Sequence, residues 1–334
     1  MDKKYDIFGM CNALYDLQAE VEEPMLRELS LEKGGMFLLS REEQRAIVPR
    51  VYTGVVNTEA GGSGANTAIG VALLGGTACF TSRVGRDDHG RLYRDGLTRA
   101  GVKPNLGIGE GDTGVSLILV TPDAQRTMCT YLGLSQDLRP EDVDEEDIRA
   151  SRYLYVTGYL WDTDTQKSAV THAMQIARDA GVPIAFSLSD AFCVARHRAD
   201  FLDLLSTFVD VVFANGEEAM ALTDTSDVSE ATLELSRRLK PDGARIAAVT
   251  RDKSGSLLQH GETRHEIPSY PVEAVDTTGA GDMYAAGLLY GLTHGLTLPA
   301  SGRIASYAAA QVVAQLGPRL DSIDAEAIRV LQYT

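Results

Sequence analysis

The sequence predicts an α/β fold built on a mainly parallel sheet, and two observations carry that prediction. Short β-rich runs recur along the 334-residue chain with helical stretches between several of them, the pattern of βαβ units. Many of these runs are continuously apolar rather than alternating, as expected of strands covered on both faces.

In chain order the β-rich runs are YDIFGMC (5–11), TACFTSRV (77–84), VSLILVT (115–121), YLYVTGY (153–159), PIAFSLS (183–189), VDVVFAN (209–215) and IAAVT (246–250). Among the helical stretches, TQKSAVTHAMQIARDAG (165–181) spaces its apolar residues helically and ends on a glycine, a stop signal. SEATLELSRRLK (229–240) and RIASYAAAQVVAQLG (303–317) read likewise. Two regions break the alternation. Residues 14–58 mix charge with scattered β-formers, and residues 103–133 look like hairpin material with turns at GEGDTG and TPDAQ. Both are expected to leave the main sheet and form a small β lid on a single domain spanning 1–334.

Composition narrows the function. Lys and Arg total 31 against 47 Asp and Glu, a net charge of −16. That opposes general binding to nucleic acid or anionic lipid, although a local site can still hold an anion. Cys11, Cys79, Cys129 and Cys193 form no CxxC pair, and the histidines form no HExxH pattern, so reduced thiols and no zinc site are expected. The stretch MDKKYDIFGMCNALYD has no apolar signal core. The uncharged run from Ala60 to Ser82 is too polar to span a membrane. A soluble, cytoplasmic protein is expected.

Three motifs carry chemistry. In DTTGAGD (276–282), the small residues Gly279, Ala280 and Gly281 let successive backbone N–H groups converge, and the apolar run after them is a helix candidate. Such a helix start binds anions and suits a transferring phosphoryl group. Asp282 in its first turn is a candidate base; the plainer alternative is an acid that favours the helix dipole. In EAGGSGANTAIGVALLGG (59–76), Gly61 and Gly62 permit close backbone approach to a ligand, and Asn66 can donate to and accept from hydroxyls. This is not a GxGxxG fingerprint, and no GK pair marks a P-loop. In GMCNALYD, Asn12 and Asp16 follow a strand end, where open α/β sheets bind ligands.

Taken together and in this order, the motifs resemble the signatures of the PfkB family of carbohydrate kinases, the ribokinase-like fold that includes adenosine kinase. The resemblance implies a three-layer α/β/α domain with a small β-sheet lid, and ATP and Mg2+ as cofactors. It implies Asp282 as catalytic base and Gly279, Ala280 and Gly281 as the anion hole. Asp276 and Thr278, with the neighbourhood of Gly317 in AAAQVVAQLGPR (308–319), are implied to hold a monovalent cation such as K+. Asp16, Asn12, Gly61, Gly62 and Asn66 would bind the acceptor. In FANGEEA (213–219), Asn215 and Glu218 would act through water on magnesium and the phosphates. Thr250 and Gly255 in VTRDKSGSLL (249–258) would contact the nucleotide, and VGRDDHGRLYRDGLTRAGV (84–102) is similar to the family's segment after its second signature.

The acceptor stays open between a nucleoside and a sugar. DIFGMCNALYDLQAEV and GDTGVSLILVTPDAQRTMCTYLG look most like the adenosine kinase branch, which puts a nucleoside first; fructokinase, ribokinase and sugar-acid kinase are the alternatives. Arg126 matches an arginine that closes over phosphates, or else is a surface arginine at a hairpin turn. Tyr159 and Trp161 in GYLWDTD (158–164) either stack on the acceptor or pack in the core. SLSDAFCVARHR (187–198) lies near the expected site with no role derived. A non-catalytic sugar or nucleoside sensor is the alternative of another class. The partner is a small molecule; relatives occur both as monomers and as homodimers joined through the lid.

Overall fold

The computed structural model describes residues 3–123 and 125–333. Its strands are β1 (Tyr5–Met10), β2 (Leu14–Glu20), β3 (Met36–Leu38), β4 (Val55–Gly61), β5 (Ala78–Gly85), β6 (Val102–Gly109), β7 (Gly114–Val120), β8 (Arg126–Tyr131), β9 (Ser151–Thr157), β10 (Ile184–Ser187), β11 (Val211–Asn215), β12 (Ile246–Thr250), β13 (Ser256–His260) and β14 (Thr263–Ile267). Among the described residues, nine form the larger sheet, in the order β14-β13-β12-β11-β10-β9-β1-β5-β6. From β12 to β6 every neighbour is parallel, and β13 and β14 add an antiparallel edge.

Successive residues of the parallel strands feed two separate cores. Ile7, Tyr155, Ala185, Val211 and Ala248 pack beneath the helices Ser63–Leu73, Ala280–Thr293 and Leu298–Val313. Phe8, Leu154, Phe186, Val212 and Ala247 pack beneath Asp164–Asp179 and Ala191–Thr207 on the other face. Side chains alternate across a strand, so two covered faces require apolar residues at every position. Truncating a fully buried ring such as Phe186 to Ala is expected to cost about 3–5 kcal/mol.

The helices shift slightly from expectation. Those expected at 165–181 and 229–240 span Asp164–Asp179 and Val228–Arg238. The one expected at 303–317 is Leu298–Val313, because Thr297 caps it and a proline sits in its first turn. Within 187–198 begins a helix not expected at all, Ala191–Thr207, started by the Asp190 side chain accepting the Cys193 N–H at 2.7 Å. No helix among the described residues is long and apolar enough to cross a membrane.

The smaller sheet has the order β3-β8-β7-β2-β4. It corrects one boundary. Of the segment 103–133, residues 103–109 belong to β6, which pairs in parallel with β5 in the larger sheet. As its edge strand, β6 is largely half-buried, which gives it the mixed pattern of a hairpin. Only β7 and β8 join the smaller sheet from this region, and residue 124 lies outside the described residues. From the first region come β2, β3 and β4, with β4 running to Gly61, past the expected end at 58.

The chain crosses from the larger sheet to the smaller between β1 and β2, and returns between β4 and the helix Ser63–Leu73. The two crossings touch. Gly62 has φ +91°, and a Cβ there would lie 2.4 Å from the Asn12 carbonyl oxygen, so only glycine fits. Strand ends, smaller sheet and helix start therefore meet at one place.

Candidate active site

Asp282 lies in the first turn of the helix Ala280–Thr293. Gly279 precedes that helix in the left-handed region, φ +78°, where a Cβ would lie 2.4 Å from the Pro318 carbonyl oxygen. No side chain caps this helix start, and the space where a Cβ of Gly281 would point is open. The Ala280 N–H donates to the Thr277 carbonyl at 3.2 Å, so this member of the expected anion hole is already paired, and Gly279 and Gly281 carry the remaining N–H groups of the turn. Helix starts of this kind bind anions. The Asp282 carboxylate is held from the opposite helix: Ser63 Oγ donates to Oδ1 at 2.6 Å and Asn66 Nδ2 to Oδ2 at 2.9 Å. Burial lifts its pKa above the usual carboxylate range, against the lowering by Ser63, Asn66 and Arg319.

Asp16 in β2 is the second carboxylate here, only 7% exposed. Burial pushes its pKa up to about 7; Arg319 and Arg126 pull it down, while Glu59 and Asp282 push it up. A Cβ at Gly61 would fall 2.1 Å from Asp16 Oδ2, so the glycine makes room for this carboxylate. Asn12 is buried beside it, and its Oδ1 accepts from Gln166 Nε2 at 2.8 Å. At the end of β9, Tyr159 is half-buried and donates its hydroxyl to the Ser189 carbonyl at 3.3 Å.

Arg126 reaches the glycine turn from the smaller sheet. Its Nη1 lies 2.8 Å from Asp276 Oδ2 and donates to Thr278 Oγ1 at 3.2 Å. Asp276 Oδ1 also accepts the Thr278 N–H and hydroxyl, and Oδ2 the Gly317 N–H at 2.8 Å. Arg126 Nε and Nη2 are buried without a partner.

Further along the carboxyl ends of the parallel strands, Asn215 and Thr250 are paired across β11 and β12. Asn215 and Glu218 form a reciprocal cap: Asn215 accepts the Glu218 N–H, and Glu218 accepts both the backbone N–H and the side-chain amide of Asn215. Glu218 is buried, which pushes its pKa up to about 7 against the lowering by the Asn215 N–H. Gly255 has φ +79°, and a Cβ there would lie 2.0 Å from the Ile267 carbonyl oxygen, so only glycine fits this turn. Among the described residues, no cluster of three or more His, Cys, Asp or Glu can hold a metal ion.

Residues 39–325 match the model of the pfkB family carbohydrate kinases. The chain belongs to that family. As a pfkB kinase it is a phosphotransferase acting on a hydroxyl group of a small molecule, with ATP as the donor the family implies. A fructokinase of Klebsiella pneumoniae is 32% identical over 243 residues, 71% of this chain and 78% of that enzyme. An adenosine kinase structure from Sinorhizobium meliloti matches with a TM-score of 0.88 at 39% identity, covering 98% of this chain and 99% of that one. A probable sugar kinase from Rhizobium etli CFN 42 matches at 0.89 and 36%, covering 98% of each chain. The fold is the ribokinase-like one, a large mainly parallel sheet with a second, smaller sheet.

Sequence reasoning on this pfkB kinase missed Ser63, Glu59, Gln166 and Arg319. Ser63 and Glu59 stand inside the quoted glycine-rich motif, and Arg319 ends the stretch from which only Gly317 was taken. Gln166 sits in the first turn of its helix, where it meets Asn12 and the Ser135 carbonyl. Trp161 is core: it is buried, its indole N–H donates to Asp200 at 2.7 Å, and its ring meets Phe201 edge-on.

Proposed function

We propose that this kinase transfers the γ-phosphoryl of ATP to a primary hydroxyl of a nucleoside, with adenosine the first acceptor to test. The observation that carries the reading is the Asp282 carboxylate, held by Ser63 and Asn66 at an uncapped, glycine-led helix start. In this reading Asp16, with Asn12, Asn66, Gly61, Gly62 and Tyr159 around it, receives the acceptor and takes hydrogen bonds from its hydroxyls. Asp282 accepts the proton of the reacting hydroxyl. The N–H groups of Gly279 and Gly281, joined by that of Ala280 when it leaves the Thr277 carbonyl, stabilise charge on the transferring group. The two unpaired nitrogens of Arg126 are oriented by its bond to Asp276 and are free to take phosphate oxygens.

Magnesium, when bound with the nucleotide, neutralises phosphate charge. The residues fit an ion carried mainly by the phosphates, with Glu218 and Asn215 to hold its waters: Glu218 is a buried carboxylate with no cation beside it. Thr250 and Gly255 shape the nucleotide side of this region. Asp276, Thr278 and Gly317 do not fit a monovalent cation as arranged, because the Arg126 guanidinium, 2.8 Å from Asp276 Oδ2, already supplies the opposing charge there. No step is assigned to such a cation.

The smaller sheet is read as a lid that excludes water on closing. Acceptor and nucleotide together should protect β2, β7 and β8 in hydrogen exchange; unchanged exchange counts against a lid. A homodimer through this sheet is favoured by Met36 and Leu38, each 65% exposed on edge strand β3, and sedimentation tests it. Free cysteines throughout suit the cytoplasm.

A sugar acceptor is the second reading, favoured by the similarity to the fructokinase. ATP consumption with adenosine, D-ribose, D-fructose and a 2-keto sugar acid separates the two. Preference for adenosine supports the first reading, preference for a free sugar the second, and binding without ATP consumption would make the chain a sensor.

A further inference from the structure

Asn66 touches two groups of opposite character. Its Nδ2 donates to Asp282 Oδ2 at 2.9 Å, and its Oδ1 accepts from Arg319 Nε at 2.9 Å. Arg319 can only donate and an ionised Asp282 can only accept, so together they allow one orientation of the Asn66 amide. Rotating it by half a turn would set donor against donor and acceptor against acceptor. Arg319 is itself held. Its Nη1 lies 3.6 Å from Glu59 Oε2, its side chain is only 14% exposed, and Glu59 stands opposite Asp16 in the β2–β4 pairing. Its Nη2 is buried without a partner.

We infer that Arg319 is a positioning residue for Asp282: anchored by Glu59, it fixes the Asn66 amide so that its N–H always points at the carboxylate. The inference rests on the reading of Asp282 as base. Arg319 also places a positive charge among the groups that face Asp282, namely Cys11 after β1, Asp16 in β2, Tyr155 in β9 and Tyr159 beyond it. Asp282 must be ionised to accept a proton, and the Arg319 charge favours the ionised form.

The test is steady-state kinetics across pH of Arg319→Ala and Arg319→Lys, with ATP and the best acceptor among adenosine, D-ribose and D-fructose. Arg319→Ala is expected to lower kcat about 10–100-fold, to change the acceptor KM less than about threefold, and to move the acidic limb of kcat, measured with the acceptor saturating and Asp16 engaged by it, to higher pH. Millimolar methylguanidinium should restore part of kcat. Arg319→Lys keeps the charge but not the planar fork, so the limb stays in place while kcat falls. A normal kcat and limb in Arg319→Ala overturns the inference. So does a raised KM with unchanged kcat, which would make Arg319 an acceptor contact. If Arg319→Ala fails to fold, a wild-type kcat in Arg319→Lys overturns it. Asp282→Asn is run alongside: full turnover there defeats the base reading itself, whereas an inactive Asp282→Asn beside unimpaired Arg319 variants defeats only this inference.

Discussion

Arg126 of β8 and Asp276 of the glycine turn form a 2.8 Å ion pair that ties the smaller sheet to the larger. The two side chains are only 10% and 8% exposed. Removing one partner of a buried pair leaves the other charge uncompensated, which costs about 3–5 kcal/mol. Arg126→Ala should therefore lose stability of that order in denaturant unfolding and raise the KM for ATP. Adding Asp276→Asn should recover much of the stability and none of the nucleotide affinity. Equal stability of Arg126→Ala and wild type would show that the pair contributes nothing.

Because Arg126 supplies positive charge beside Asp276, replacing potassium by choline should change kcat less than about twofold. Arg126→Ala removes that charge and should gain a dependence on potassium. A wild-type rate that collapses without potassium would show that the arginine yields its place to the ion during turnover.

Asp282→Asn should lower kcat by on the order of 10²–10⁴, the range for loss of a general base, while acceptor binding measured calorimetrically persists. Ser63→Ala should have a smaller effect in the same direction, since it removes one of the two hydrogen bonds on the carboxylate.

Asp16 sets a pH dependence. It serves the acceptor as a carboxylate, and its pKa is raised to about 7, so kcat/KM for the acceptor should fall as pH drops through 7. The stability effect has the opposite sense. Folding raises this pKa from an ordinary 3.8, so the folded state binds the proton more tightly, and the cost of burying the charge grows as pH rises from 3.8 to about 7. Asp16→Asn should raise Tm more at pH 8 than at pH 5, while impairing acceptor binding. Equal gains at both pH values would place the pKa of Asp16 near its ordinary value.

Gly61→Ala puts a methyl group 2.1 Å from Asp16 Oδ2, so the carboxylate must move. The acceptor KM should rise by about tenfold or more with the nucleotide KM little changed. A normal acceptor KM would mean that Asp16 moves aside without loss.

How much of this was legible follows from how local each feature is. Capping, glycine turns and apolar strands are written in neighbouring residues, so the parallel sheet and the turn at 276–282 could be read directly. β6 was misplaced because an edge strand, half-exposed, carries the mixed pattern of a hairpin. The helix Ala191–Thr207 escaped because its start reads as polar loop, and its one clear signal is Asp190 as cap.

By itself the sequence determined an α/β chain with an anion-binding turn and an acid in the first turn of the helix after it, because both depend only on backbone freedom and the register of a few adjacent residues. Only the tertiary structure decided what surrounds that acid. Ser63 is 219 residues from Asp282, and Arg319 is 253 from Asn66. Pairings at such distances follow from how helices pack on a sheet and from which buried donor must face which acceptor, and no local pattern records either.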